Sequence, residues 1–246
     1  MVPNIDNKHW TLKHQYIKEV YIHVVSLLSI FSASCAMSHM TQLSYDMAMK
    51  LSLLSILSIM LSFINRANVK FWIYFTASSL GIGLHPAINT CLHEGYHNEI
   101  YMALFGTIIV FATLTSIVAM SDSRKFLFIG GPLLSSLFVI LVVGLVNTFI
   151  LKSPIMHTIE IIFGLIVFSL YVIYDTSVIL NRTELEINDF NCIFDAMSIF
   201  LDIINIFIRI LMMLMIMKIK DKEKEERRKK KESSCVCDTT SSLLSF

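Results

Sequence analysis

Charged side chains are scarce in this chain. Asp, Glu, Lys and Arg make up 16% of its 246 residues against 55% hydrophobic ones, and the mean hydropathy is +0.67. An ordinary soluble domain carries about a quarter charged residues, so so little charge argues against one. Long polar stretches are missing between residues 20 and 217, which leaves no room for a separate soluble domain. The five cysteines form no disulfide framework: Cys35, Cys91 and Cys192 lie in or beside apolar runs, and Cys235 and Cys237 form a lone C-V-C. Buried thiols of this kind act as small hydrophobes, with palmitoylation or metal binding by the tail pair as the alternative. No P-loop occurs, and Gly81-Ile82-Gly83 lacks the strand–turn–helix setting of a dinucleotide fingerprint. Basic and aromatic residues are not interleaved, which excludes nucleic acid as a partner. Residues 1–19 are polar and no small-residue cleavage site follows the first apolar run, so no cleavable signal peptide is expected and the first span serves as an anchor.

What is present is a series of apolar runs. Seven fall at about 20–37, 47–64, 71–90, 101–120, 126–150, 156–180 and 192–217, each near the ~20 residues a spanning helix needs. The reading is an all-α polytopic membrane bundle in contact with the lipid bilayer. It has an N-terminal cytosolic segment (1–19), a membrane domain (20–217) and a charged cytosolic tail (218–246). Lys8, Lys13 and Lys18 precede the first span, Arg66 and Lys70 lie between spans two and three, and Arg124 and Lys125 between four and five. The 1–2 and 3–4 connections have neither Lys nor Arg, so the positive-inside rule puts the N-terminus in the cytosol. Residues 218–232 hold nine basic and five acidic residues and also call for the cytosol. Seven crossings cannot satisfy both ends. Six spans and a seventh segment that enters without crossing would. The Asn181-Arg182-Thr183 sequon in the 6–7 connection then stays unmodified. The mixed signs of the tail favour a solvated extension over a site for anionic lipid.

The seventh run carries a polar stripe. Asp195, Ser198, Asp202, Asn205 and Arg209 are spaced 3, 4, 3, 4, which places them on one helical face. Acids in a membrane segment usually face a protein interior or a water path. Asp175 lies late in the sixth run, in Y-V-I-Y-D-T, and a short connection to the seventh makes the two helices antiparallel neighbours. Asp175 and Asp202 are therefore expected to meet. Two carboxyls in contact do not both ionise cheaply, so one keeps a proton and the pair titrates as a unit. Such a pair is a pH-sensitive gate, or a cation site when both are charged, and calcium suits hard oxygen ligands. Interhelical hydrogen bonding without gating is the plainer alternative. Glu160 sits nearer a membrane edge, and Arg209 is expected to snorkel to the interface, with a neighbouring carboxylate as the other choice. A rival motif is His93-Glu94-Gly95-Tyr96-His97, which fits H-E-x-x-H: His93 and His97 as zinc ligands, Glu94 as base, in an intramembrane metalloprotease. No third ligand stands nearby, and the default is a polar loop.

Several segments together resemble the Bax inhibitor-1 family, also called the transmembrane Bax inhibitor motif family. They are Ile17-Lys18-Glu19-Val20-Tyr21, Gly81-Ile82-Gly83-Leu84-His85-Pro86-Ala87, Phe105-Gly106-Thr107, Phe126-Leu127-Phe128-Ile129-Gly130-Gly131, Tyr171-Val172-Ile173-Tyr174-Asp175-Thr176 and Phe200-Leu201-Asp202-Ile203-Ile204-Asn205. The resemblance covers about Thr11 to Lys231. It implies six helices around a less hydrophobic seventh, in the endoplasmic reticulum membrane. It also implies suppression of apoptosis, with Bcl-2-type cell-death regulators as partners. A pH-sensitive calcium leak would be gated by the aspartate pair at Asp175 and Asp202, with calcium as the permeant ion and no cofactor or enzymatic activity. A non-conducting regulator of cell-death proteins is the remaining alternative. The chain departs from the family's pattern at His85, where glycine is usual, and at Asn89, where an acid often stands. No second-span arginine matches the family's counter-charge.

Overall fold

The computed structural model describes residues 5–41, 44–182 and 186–243 of the chain, with side chains left undescribed at 5–11, 45, 49, 52 and 230–243. Seven α-helices follow one another: α1 (Ile5–Met40), α2 (Tyr45–Ile64), α3 (Val69–His93), α4 (His97–Met120), α5 (Gly130–Val146), α6 (Pro154–Leu180) and α7 (Asp189–Leu243). A 3-10 segment, Ser123–Ile129, leads into α5, and a π turn, Asn147–Leu151, leaves it. No strand occurs among the described residues. The all-α bundle expected from the apolar runs is what forms, because only closed helices satisfy every backbone group in hydrocarbon.

Local chemistry sets the breaks. Lys152 takes a left-handed φ of 48° after the π turn, and its N–H closes onto the Asn147 carbonyl at 2.7 Å. Asn147 Oδ1 accepts from the Ser153 N–H at 3.0 Å, and Ser153 then caps α6 with Pro154 in its first turn. The serine-rich face of α1 tolerates lipid because Ser26, Ser29 and Ser32 each donate to a carbonyl one turn back.

Six helical stretches are long and apolar enough to cross a membrane: Leu12–Met40, Asp46–Ile64, His97–Met120, Ser123–Leu151, Pro154–Leu180 and Asp189–Lys229. α3 is not among them, although its run was expected to span. Thr76, Ser78, Ser79, Gly81, Gly83 and His85 dilute its apolar run, and it is sheltered between α1 and α2. Ser34 bonds Ser78 at 3.0 Å and Ser58 bonds Thr76 at 2.6 Å across these contacts. Gly81 is required here: a Cβ would run into the Phe31 backbone carbonyl of α1. α3 runs on through Pro86.

α7 is the core of the bundle. Ile193, Ile199, Phe200 and Ile206 are fully buried, against Val20 and Leu27 of α1 and Ile73 and Cys91 of α3. Its neighbours are α6, α4, α1 and α3, while α5 packs on α6 alone to any extent. The start of α7 meets the start of α3 through Lys70–Asp189 at 3.1 Å and the end of α2 through Phe63–Phe194. Further along, Phe200 packs edge-on against Phe31, and Met215 lies 3.2 Å from Cys91 near the end of α3. Lys218 pairs at 3.2 Å with Glu99, buried at the start of α4.

The two ends of the apolar part of α7 thus lie at opposite ends of the bundle. The expected six apolar stretches in seven helices are what forms, with α7 at the centre and among the six, and α3 the one that falls short. Burial by four helices lets a polar face traverse, so the stripe needs no re-entrant path. With six crossings, epitopes fused before Ile5 and after Lys229 are expected to show the same protease protection in sealed vesicles. Opposite protection would require a seventh crossing.

Candidate functional site

The site is assembled from facing positions on α6 and α7. Asp202 lies in the middle of the apolar part of α7 and is 4% exposed. Asp175, about one and a half turns before the end of α6, lies near Asp202 across the α6–α7 contact. A carboxylate has no donor, so a hydrogen bond between two carboxyls needs a proton on one of them. Oδ2 of Asp202 has no hydrogen-bond partner among the described residues, nor does the neighbouring Thr176 hydroxyl. Tyr171, one turn before Asp175 on α6, is close enough to feel both acids.

Two turns toward the α6–α7 connection, a second cluster forms. Arg182 grips Asp195 with both arms of its guanidinium: Nη2 to Oδ1 at 2.6 Å and Nε to Oδ2 at 3.0 Å. Tyr16 of α1 donates its hydroxyl to Asp195 Oδ2 at 2.7 Å. The hydrogen bond to the carboxylate pushes the Arg182 guanidinium above its ordinary range, so this cation is permanent. Asp195 was expected to be a supporting polar residue. It is instead the centre of a buried ion pair joining α1, α7 and the connection, and its charge is near enough to act on Asp175.

Sequence reasoning missed Arg182 and Tyr16. Arg182 had drawn notice only as the middle of a sequon. The signal was in the register: Arg182 follows Asp175 by seven residues and Asp195 precedes Asp202 by seven. In antiparallel helices, two such two-turn steps bring the second pair together whenever the first pair meets. Of the sequon itself, the Asn181 amide donates to Ser123 Oγ and the Ser177 carbonyl, both at 2.8 Å, and Thr183 lies outside the described residues.

The same register runs the other way. Seven residues beyond Asp202, the Arg209 guanidinium lies 5.1 Å from the ring centroid of Phe168, seven residues before Asp175. Arg209 Nη1 donates to the Glu160 carbonyl at 2.9 Å, and the guanidinium covers Gly164. The expectation that Arg209 snorkels to the interface is corrected, because the bare Gly164 backbone opens a seat for it inside the α6–α7 contact. Glu160 lines a cavity of about 330 Å³ with Arg209 and Gly144. Asn205 donates to its own helix at Leu201, 2.8 Å away, and Ser198 is partly buried on the same face.

His93-Glu94-Gly95-Tyr96-His97 does not form a zinc motif. His93 ends α3, His97 begins α4, and Gly95 sits between them at φ 78°. The two histidines therefore never share a helical face. No group of three His, Cys, Asp or Glu side chains able to hold a metal occurs among the described residues. Glu94 instead lies 4.0 Å from Lys222, whose ammonium sits 4.6 Å from the Tyr96 ring centroid. The Cys235 and Cys237 side chains lie outside the described residues.

Fold and site together define a class: a helical membrane protein with buried acidic side chains where its central helix packs on α6. The family described as inhibitor of apoptosis-promoting Bax1 (Bax1-I) matches residues 13–219, and the chain belongs to it. The chain is similar to Bax inhibitor 1 of Homo sapiens, 30% identical over 132 residues that cover 54% of each chain. It is 29% identical to Bax inhibitor 1 of Bos taurus over the same share. The chain thus spans about half the length of these two relatives. It is also similar to the modulator of FtsH protease YccA of Escherichia coli, 28% identical over 201 residues, 80% of this chain and 88% of that one. A further Escherichia coli relative is an inner membrane protein, so membranes other than the endoplasmic reticulum hold such proteins.

Proposed function

We propose that this chain suppresses apoptosis from the endoplasmic reticulum membrane and lets calcium leak in a pH-dependent way. Asp175 and Asp202 are the gate. The observation that carries this reading is a buried Asp202 with an unpartnered Oδ2 where α7 packs on the helix that bears Asp175. A proton on either carboxyl lets it donate to the other and ties α6 to α7. Loss of that proton leaves two like charges side by side in a dry interior, which drives the helices apart or draws in a cation. Calcium, a hard cation, takes carboxylate oxygens. Arg182 and Tyr16 hold Asp195 beside the pair, so one end of the α6–α7 contact stays fixed while the other responds.

Proteoliposomes loaded with a calcium dye test it. The wild-type chain is expected to pass calcium at a rate that changes with pH. Asp202→Asn and Asp175→Asn are each expected to flatten that pH dependence and to change the rate severalfold. Unaltered flux and an unaltered pH profile in both variants would remove the gate. A second reading, a non-conducting regulator of membrane partners such as Bcl-2-type proteins, draws on the similarity to a protease modulator over 80% of the chain. Wild-type vesicles with no calcium flux at any pH would favour it.

A further inference from the structure

A second cavity lies away from the acids. It measures about 530 Å³ and is enclosed by α1, α3, α4 and α7, within the size range of small-molecule sites. Its walls are almost wholly apolar, with Leu28, Phe31, Ile88, Ile204 and Phe207 among them. Leu104 and Ile108 of α4 also line it and are themselves more than half exposed on the outer face of the bundle. α1 and α4 are not packed against each other to any extent. The cavity therefore opens sideways toward the hydrocarbon.

One polar group in this wall is out of place. His85 is 4% exposed, and neither of its ring nitrogens has a hydrogen-bond partner among the described residues. It sits eight residues before the end of α3, roughly 12 Å along the helix. Its ring neighbour is His39, at a centroid distance of 5.8 Å, on the last turn of α1. The two hydroxyls in the wall are occupied as donors: Ser32 bonds the Leu28 carbonyl and Thr107 the Ala103 carbonyl, both at 2.8 Å. No Asp, Glu, Lys or Arg lines the cavity. A ligand with a charged head would therefore enter without a counter-ion. A neutral imidazole offers one donor and one acceptor, which a single hydroxyl can match in either sense.

We propose that this cavity binds an uncharged membrane-borne alcohol: an apolar body with one hydroxyl, which bonds His85 while the body fills the space between α1 and α4. A sterol and a long-chain alcohol share that chemistry, and either would enter from the bilayer.

The full chain in nanodiscs, labelled with a photoactivatable cholesterol analogue and, in parallel, a photoactivatable hexadecanol, tests this. Saturable labelling of α1 or α3 peptides is expected for at least one probe. Which probe saturates identifies the source. The matching unlabelled alcohol should displace the label, and its methyl ether, which can no longer donate, should do so roughly tenfold more weakly. His85→Leu should abolish the difference between alcohol and ether. Ala36→Trp, which fills the cavity from α1 without touching His85, should abolish saturable labelling. It keeps the test open should His85→Leu fail to fold. Labelling that never saturates, that the ether displaces equally well, or that survives Ala36→Trp would mean the cavity holds bulk acyl chains only, and would overturn the proposal.

Discussion

Arg182→Ala is expected to cost the protein about 3 kcal/mol of stability, read as a large fall in Tm for the detergent-solubilised chain. Asp195 is buried and takes three of its hydrogen bonds from just two residues, Arg182 and Tyr16. Removing the guanidinium leaves a carboxylate in the bundle with only a phenol to face it. The cost belongs to the orphaned charge rather than to the attraction lost, so replacing both residues should be milder than either alone would suggest. Arg182→Leu with Asp195→Leu is therefore expected to lose clearly less than the sum of the two single substitutions. A strictly additive result would show that the pair is not coupled as the geometry describes. The figure sits at the low end for buried pairs because the Arg182 side chain keeps 22% exposure.

Gly81→Ala is expected to destabilise by about 1–3 kcal/mol, as overpacking does, and to loosen the α1–α3 contact. The group in the way is the Phe31 backbone carbonyl, which cannot rotate aside as a flexible side chain would. Gly106→Ala is the control on a neighbouring helix. Its Cβ would rest 3.6 Å from the Ile210 side chain, an ordinary contact, and a change within about 0.5 kcal/mol is expected. Thermal unfolding of the two variants side by side checks this. Equal losses would mean that the tight α1–α3 crossing is not what fixes Gly81.

The spacing of polar residues was informative where it followed one helix and ambiguous where it needed two. Asp195, Ser198, Asp202, Asn205 and Arg209 share a face by the 3.6-residue period alone, and a short connection was enough to pair Asp175 with Asp202. The partner of Asp195 lay in the same register, two turns away, but Arg182 sits at the helix end, where charge is ordinarily solvated and draws no attention. Tyr16 could not have been found that way, since 179 residues separate it from Asp195. Arg209 was assigned to the interface because its own helix could not reveal that Gly164 leaves a seat for it on α6. The histidine motif was misleading for a related reason: its spacing assumes a continuous helix, and Gly95 breaks one.

By itself the sequence determined that this is a helical membrane protein and which face of its last apolar helix is polar. Hydropathy and periodicity are local properties that no packing partner can erase. Tertiary structure decided where each charge goes. It put α7 at the centre of the bundle, packed on α1, α3, α4 and α6. It also separated the stripe into a buried, unpartnered Asp202, an ion-paired Asp195 and an arginine seated on glycine. Those assignments depend on which helices surround α7, and on how closely a small residue lets them approach.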